Sequence, residues 1–356
     1  MLKKEQHSKS FSRPIIFISI LGVALGVSVI ILTISIATGF QNQIKNKLLS
    51  FGSHIQIESM FQNNNNETSP ITLLNDSIAS INSNYKLEKY AYKSAIIQNK
   101  TIPKSSINDV KGLLFKGIES FEQNKFLADY LISGTLPIIR NQINDTIILS
   151  KETCNKLQLK LFDKISGFFI SNGKPRQRNM IVGGIYETGL DKLDGKFGFI
   201  DIRLIRKLNN WGFKTALKYT FNTDSTKVTI TTLNQSKNGF ILHNWGDHKI
   251  VNQNTYKFKT NSDTTIQLIV YEVNNLKDQN LINIPDTLFI HYSKKQKQLS
   301  YENIEGSGKF FCGGFELNLL DFEDREIIKS NFKKKLGPEF KVTTIDEQHG
   351  EIFSWL

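Results

Sequence analysis

IIFISILGVALGVSVIILTISIA, residues 15–37, contains no charged residue. At about 1.5 Å rise per residue, a helix of that length crosses the roughly 30 Å hydrocarbon layer of a bilayer. A cleaved signal peptide has an apolar core of only about 7–15 residues, so this run is too long to be one. A buried core helix would carry a polar face, whereas the polar side chains here are only Ser and Thr. Residues 14–50 therefore read as a transmembrane helix that runs on into a stalk. Gly22 and Gly26 stand at GxxxG spacing with Ser19 one turn earlier, a small-residue face for helix packing. Lys3, Lys4, Lys9 and Arg13 precede the span, which predicts a cytoplasmic N-terminal segment, residues 1–13. The stretch GFQNQIKNKLLSFG continues the helix beyond the membrane, and no second apolar run of comparable length follows it. The main part of the chain is thus expected outside the cytoplasm.

Composition narrows the partners. Lysine and arginine total 45 against 33 acidic residues, a formal net charge of +12. The excess is scattered among Asn and Ile positions without an arginine-rich stripe, so no nucleic-acid partner is expected. The densest cluster, Lys333, Lys334 and Lys335, ends a helical pattern, where cations suit the macrodipole. Cys154 and Cys312 are far apart in apolar contexts. Two buried thiols or one disulfide both fit, and the count leaves the redox compartment open.

Residues 62–66 form an asparagine-rich tip, closed by Pro70. LLNDSIASI (73–81) has the spacing of a short amphipathic helix, and KLEKYAYKSAIIQ (86–98) alternates as a strand. VKGLLFKGI (110–118) reads as a second strand. A helix over FEQNKFLADYLISG (121–134), ending on Gly134, is expected to follow it. Three later segments share one pattern of apolar strand, capping residue and helix: TIILSKETCNKL (146–157), FGFIDIRLIRKL (197–208) and FELNLLDFEDREII (315–328). Ser150, Asp201 and Asp321 stand at the N-cap positions. Strands alternating with helices predict a mixed α/β domain.

Between about 214 and 309 the pattern changes. KYTFNT, KVTITTL, GFILHNW, TYKFKT, TTIQLIVYEV and DTLFIHYS are short strands with no helix-period segment among them, which predicts a β-rich insertion. The α/β pattern resumes at Gly313, and a capping-box spacing from Thr344 to Glu347 opens a last helix. The expected fold class is α+β: one N-terminal transmembrane helix, then a mixed α/β domain carrying a β-rich insertion.

Motifs for chemistry are sparse. In HNWGDH, the residues His243, Asp247 and His248, joined by His291 on a nearby strand, could ligate zinc or iron. The spacing matches no helical HExxH, and a surface turn accounts for it better. There is no GxSxG, no histidine near Cys154 and no GxxxxGK[ST], so neither a catalytic nucleophile nor an ATP site is assigned. VGGIYETGLDKLDGKFGFID (182–201) packs Glu187, Asp191, Lys192, Asp194 and Lys196 between glycines. These carboxylates have no histidine or partner cluster in sequence reach, which makes the stretch a structural connection between two strands and not a catalytic loop.

ILGVALGVSVIILTISIATGFQNQIKNKLL, with its Gly39-Phe40 pair, resembles the first membrane helix of lipoprotein-releasing permeases of the LolC/LolE type. MIVGGIYETGLDKLDGKFGFIDIRLIRKL resembles the strand, acidic loop, strand and helix of that family, including Thr188-Gly189 and Asp194. LFKGIES, LISGTLP and IILSKETCNKLQLKLFDKI resemble parts of the MacB-like periplasmic core domain. The likeness covers residues 14–210 and 311–356 and leaves out the insertion. It implies a core domain in two parts, 51–213 and 311–345, interrupted by the insertion at 214–310. Residues 346–356 would be a stalk helix leading to a second span that the sequence does not contain.

The resemblance implies an FtsX-like permease subunit of an ABC exporter in the bacterial inner membrane, with its main domain periplasmic. It implies no cofactor and no catalytic residue in this chain. A separate cytoplasmic ATPase binds ATP and drives the helices, and the stalk carries the motion outward to release lipoproteins. The implied partners are the membrane, that ATPase, a second permease subunit or a second copy, and a periplasmic lipoprotein carrier. Acyl chains are held near the outer half of the first helix, which by position is the face containing Ile34, Thr38 and Phe40. In the family a protruding hairpin engages the carrier; here the matching turn is only ISNGKPRQRN, and residues 171–177 are expected to offer it little surface. A single-pass sensor or binding ectodomain, and a MacB-type exporter or FtsX-type division regulator, are the alternatives.

Overall fold

The computed structural model describes residues 12–61, 67–72, 85–100, 110–140, 142–171, 173–223, 225–234, 240–246, 250–273, 285–301, 303, 306–348 and 350. The expected helix over 73–81 and the tip at 62–66 lie outside them. The chain divides into two units, one of residues 1–53 with 345–356, the other of residues 54–344.

The first unit is dominated by α1 (Ser12–Gly52). Among the described residues it is the one helix long and apolar enough to cross a membrane. Its polar side chains turn back on the helix. Ser19 Oγ donates to Ile15 O at 2.9 Å, Ser28 Oγ to Ala24 O at 2.7 Å and Thr33 Oγ1 to Val29 O at 2.8 Å. These three hydroxyls are satisfied inside the helix and need no solvation from lipid.

In the second unit the strands run in chain order as β1 (Ile55–Ser59), β2 (Tyr85–Asn99), β3 (Val110–Ile118), β4 (Leu131–Gly134), β5 (Thr146–Ser150), β6 (Lys164–Ser171), β7 (Lys174–Tyr186) and β8 (Phe197–Asp201). They continue with β9 (Leu217–Phe221), β10 (Lys227–Thr232), β11 (Phe240–Asn244), β12 (Ile250–Val251), β13 (Thr255–Lys259), β14 (Thr264–Val273), β15 (Asp286–Ser293) and β16 (Gln298–Tyr301). The last two are β17 (Gly314–Leu319) and β18 (Phe340–Thr344). Ten of them form one sheet, in the order β18-β1-β17-β2-β3-β8-β5-β7-β4, with β6 paired to β2 and β7. Two pairs, β3 with β8 and β5 with β7, are parallel. This is a strand-rich domain of mixed α/β content.

The helices arise where the caps predict. Ser150 Oγ accepts from Thr153 N at 3.1 Å and opens α3 (Lys151–Lys156), numbered after α2 (Lys125–Tyr130). One turn, α4 (Asp191–Asp194), precedes β8, and Asp201 accepts from Arg203 N at 2.9 Å to open α5 (Ile202–Asn209). Asp321 caps a 3-10 turn that leads into α6 (Arg325–Lys335). Cys154, Leu204, Ile205, Leu208 and Phe332 from these helices join Ile57, Ile97, Phe115, Leu149 and Leu317 of the sheet in one core.

The expected helix over 121–134 is shorter than predicted. Asn124 caps it late, accepting from Leu127 N at 3.0 Å, and it ends at Tyr130. Residues 131–134 leave the helix to pair with β7 as β4, and Gly134 takes φ +87°. A further helical turn would satisfy only its own backbone, whereas pairing as β4 also gives partners to the edge of β7.

Strands β9–β16 make two sheets, β13-β10-β9 and β12-β11-β14-β15-β16, around their own core of Val228, Ile230, Trp245, Leu268, Val270, Leu288 and Ile290. The two chain segments that enter and leave this body run against each other. Ser307 N donates to Phe213 O at 2.8 Å, and Phe213 N donates to Ser307 Oγ at 2.8 Å. Gly212 and Gly306, at φ +69° and +61°, lie against the opposite backbone there, where a side chain would clash.

The last element, α7 (Ile345–Gln348), belongs to the first unit. It starts directly after Thr344.

Candidate functional site

On α1, Ile34, Thr38 and Phe40 are all exposed. Thr38 Oγ1 donates to Ile34 O at 2.8 Å, so its polarity is spent within the helix. The expected single face does not form. Ile34 and Thr38, four residues apart, share a side, while Phe40 projects roughly 160° round from Thr38 at about 100° per residue. Gly22 and Gly26 lie one turn apart, and a Cβ added at either meets nothing within 4 Å. Glycine at both positions leaves that strip of the helix surface without side chains, the feature that lets helices pack closely.

In the second unit, the described residues leave part of one face of the ten-stranded sheet open. A groove of about 490 Å³ runs across β2, β3 and β6, lined by Ser94, Ile96, Gly112, Leu114, Phe168 and Ile170. The register places Ser94 opposite Leu114, and Ile96 opposite both Gly112 and Phe168, so these residues share a face. Ile96 is 52% and Ile170 61% exposed. Gly112 leaves open space above it, and Glu67 and Lys196 stand on the rim. Glu67 is held by Lys93 Nζ at 2.7 Å and Ser94 N at 3.3 Å. Sequence reasoning missed this groove, because each of its apolar residues neighbours a core residue on the same strand. Its available signal was the unbroken runs Ile96-Ile97 and Phe168-Phe169-Ile170, apolar on both faces of strands that one core cannot cover.

The turn ISNGKPRQRN joins β6 to β7, which pair continuously from Lys164 opposite Ile181 to Ser171 opposite Lys174. Ser171 is buried, its Oγ donating to the Leu208 carbonyl at the end of α5. Against the expectation of little surface at 171–177, Gly173, Lys174, Pro175 and Gln177 are exposed, and Ile170 carries this hairpin surface onto the groove.

The acidic connection after β7 closes on itself. Asp194 is 6% exposed, and its carboxylate accepts from Thr188 N, from Thr188 Oγ1 at 2.9 Å and from Gly189 N at 2.9 Å. Gly189 takes φ +70° to present its N–H. The backbone carbonyl of Asp194 accepts from Ser150 Oγ. Glu187 pairs with Lys151 at 2.9 Å on the exposed side. The loop's buried carboxylate is thus occupied by two of the loop's own amides and the Thr188 hydroxyl.

His243 is buried on β11, its Nε2 2.7 Å from Thr232 Oγ1 and its ring stacked on Trp245. Burial lowers its pKa. His291 is exposed on β15, with β14 between the two strands. Asp247 and His248 lie outside the described residues, and among those described no cluster of His, Cys, Asp and Glu could hold a metal. Cys154 and Cys312 are both buried and free, and burial pushes each thiol up to about 12.

No family model matches the chain. The lipoprotein-releasing system transmembrane protein LolC of Buchnera aphidicola subsp. Schizaphis graminum is 31% identical over 230 residues, 56% of this chain and 55% of that protein. Over about half its length the chain is similar to LolC-type proteins. The LolC of Xylella fastidiosa (strain Temecula1) is 22% identical over 202 residues, covering 53% of the chain and 45% of the relative. The chain thus spans about half the length of the curated LolC relatives it matches. A solved structure of domains 3 and 4 of rat CD4 aligns over 62% of the chain and 93% of its own at 8% identity, with a TM-score of 0.14, too low to bear on the fold.

Proposed function

We propose that the chain acts as a permease subunit of an ABC exporter that releases lipoproteins from the outer leaflet of the bacterial inner membrane. The observation that carries this reading is the likeness to LolC in a chain that begins with one apolar helix fit to cross a membrane. In this reading the domain of residues 54–344 is MacB-like, periplasmic, and moved by the membrane helices. A separate cytoplasmic ATPase supplies the work, and this chain binds no ATP and holds no cofactor of its own. Gly22 and Gly26 form the contact with a second permease subunit or a second copy. Ile34 and Thr38 meet acyl chains from one side of α1, and Phe40 meets them from another. The soluble carrier docks along the groove and the exposed edge of the β6–β7 hairpin.

Depleting the chain in its host tests the whole reading. Lipoproteins should accumulate in the inner-membrane fraction, and an ABC ATPase should co-purify with the chain from mild detergent. Unchanged lipoprotein sorting together with no bound ATPase would sink it.

A further inference from the structure

The sheet β13-β10-β9 has two unlike faces, and its register sorts them, because residues directly opposite share a face. Val228 opposes Phe221 and Phe258, and Ile230 opposes Tyr219 and Tyr256, on the side that closes the local core. On the other side Lys227 opposes Lys259, Thr229 opposes Lys257 and Thr220, and Thr231 opposes Lys218 and Thr255. All four lysines are exposed, and these positions include no carboxylate. None of the four makes an ion pair with a described residue.

Like charges placed directly across two strands weaken a sheet. Lysines on the edge strands β9 and β13 guard against stray pairing, but that reason does not reach Lys227 on the central strand. The rest of the face is threonine. It holds no aromatic or aliphatic side chain of the kind that anchors the centre of a protein interface. Cations and hydroxyls spread over one face of a sheet instead match a surface of phosphates. We propose that this face docks on an anionic phospholipid surface, the lysines meeting headgroup phosphates and the threonine hydroxyls hydrogen-bonding between them. The apolar helix α1 confines the chain to a membrane, where such headgroups are concentrated.

The test holds the full chain in a neutral phosphatidylcholine nanodisc and mixes it with vesicles of phosphatidylcholine, with or without phosphatidylglycerol. Flotation should show capture by the phosphatidylglycerol vesicles at low salt, falling at least about tenfold at high salt as the Debye length shrinks. Lys227→Gln/Lys257→Gln/Lys259→Gln should lose a similar factor. Lys333→Gln/Lys334→Gln/Lys335→Gln, with the same change in net charge, should bind as the unaltered chain does. If the first triple variant fails to fold, Lys257→Gln/Lys259→Gln on the edge strand replaces it, with a smaller loss. Equal capture by both vesicle types, or equal loss in the two triple variants, overturns the proposal. Binding of a polyglutamate peptide without binding of vesicles overturns it too, and gives the face to an acidic protein.

Discussion

Lys116 is 1% exposed, and its ammonium lies 2.7 Å from the Glu316 carboxylate, which also accepts from Gln56 Nε2 at 3.1 Å. Burial pushes the Glu316 carboxyl above its ordinary 4.5, more than the neighbouring Lys116 pulls it down. A carboxyl raised in the folded state holds its proton where the unfolded chain has already lost it. Its contribution to stability is therefore full below 4.5 and fades as pH rises through the raised value. Removing the cation alone leaves a buried, unpaired charge. We expect Lys116→Met to lose about 3–5 kcal/mol at neutral pH, with a smaller loss in acid, where the lone Glu316 can take up a proton. Urea titrations across pH check this, and a loss independent of pH would show that Glu316 is not the group responsible. Nothing in VKGLLFKGI marks Lys116 as buried, since strand alternation assigns it to an outer face. Lys116 is enclosed by side chains on its own face, Tyr90 of β2, Glu316 of β17 and Gln56 of β1, on strands brought alongside from far along the chain.

At the scale of elements, the caps were readable and the connection after β7 was readable in part. Ser150, Asp201 and Asp321 act as N-caps because a short side-chain oxygen meets the first free amides, a purely local event. Glycines and charge in 182–201 predict a structural connection, and Asp194 turns out to be its clasp. Asp194→Ala leaves the N–H groups of Thr188 and Gly189 without an acceptor, and should cost about 2–4 kcal/mol by the urea midpoint. A loss below about 1 kcal/mol would mean that water replaces the carboxylate at little cost. The helix over 121–134 was misjudged for the converse reason. Its residues favour helix locally, but β7 offers an edge to pair with, and no pattern within the segment announces that edge.

For the molecule as a whole, the strand-only stretch encloses its own core, and its entry and exit lie side by side at Phe213 and Ser307. Excising residues 215–305 and bridging the gap with a short glycine linker should leave the ten-stranded sheet folded. We expect one cooperative melt and unchanged burial of both cysteines toward thiol reagents. Loss of cooperativity would mean that the two cores depend on each other.

The sequence alone determined the membrane helix, most strands, the caps and the likeness to LolC-type proteins, since each rests on periodicity or on residues close together in the chain. Tertiary structure alone decided which part of a sheet face the described residues leave open, which lysine is buried and where the 121–134 helix ends. It also gathered Lys218, Lys227, Lys257 and Lys259 onto one surface. Such outcomes depend on which strands become neighbours, and pairing between distant strands is set by the packing of whole faces, which no local pattern encodes.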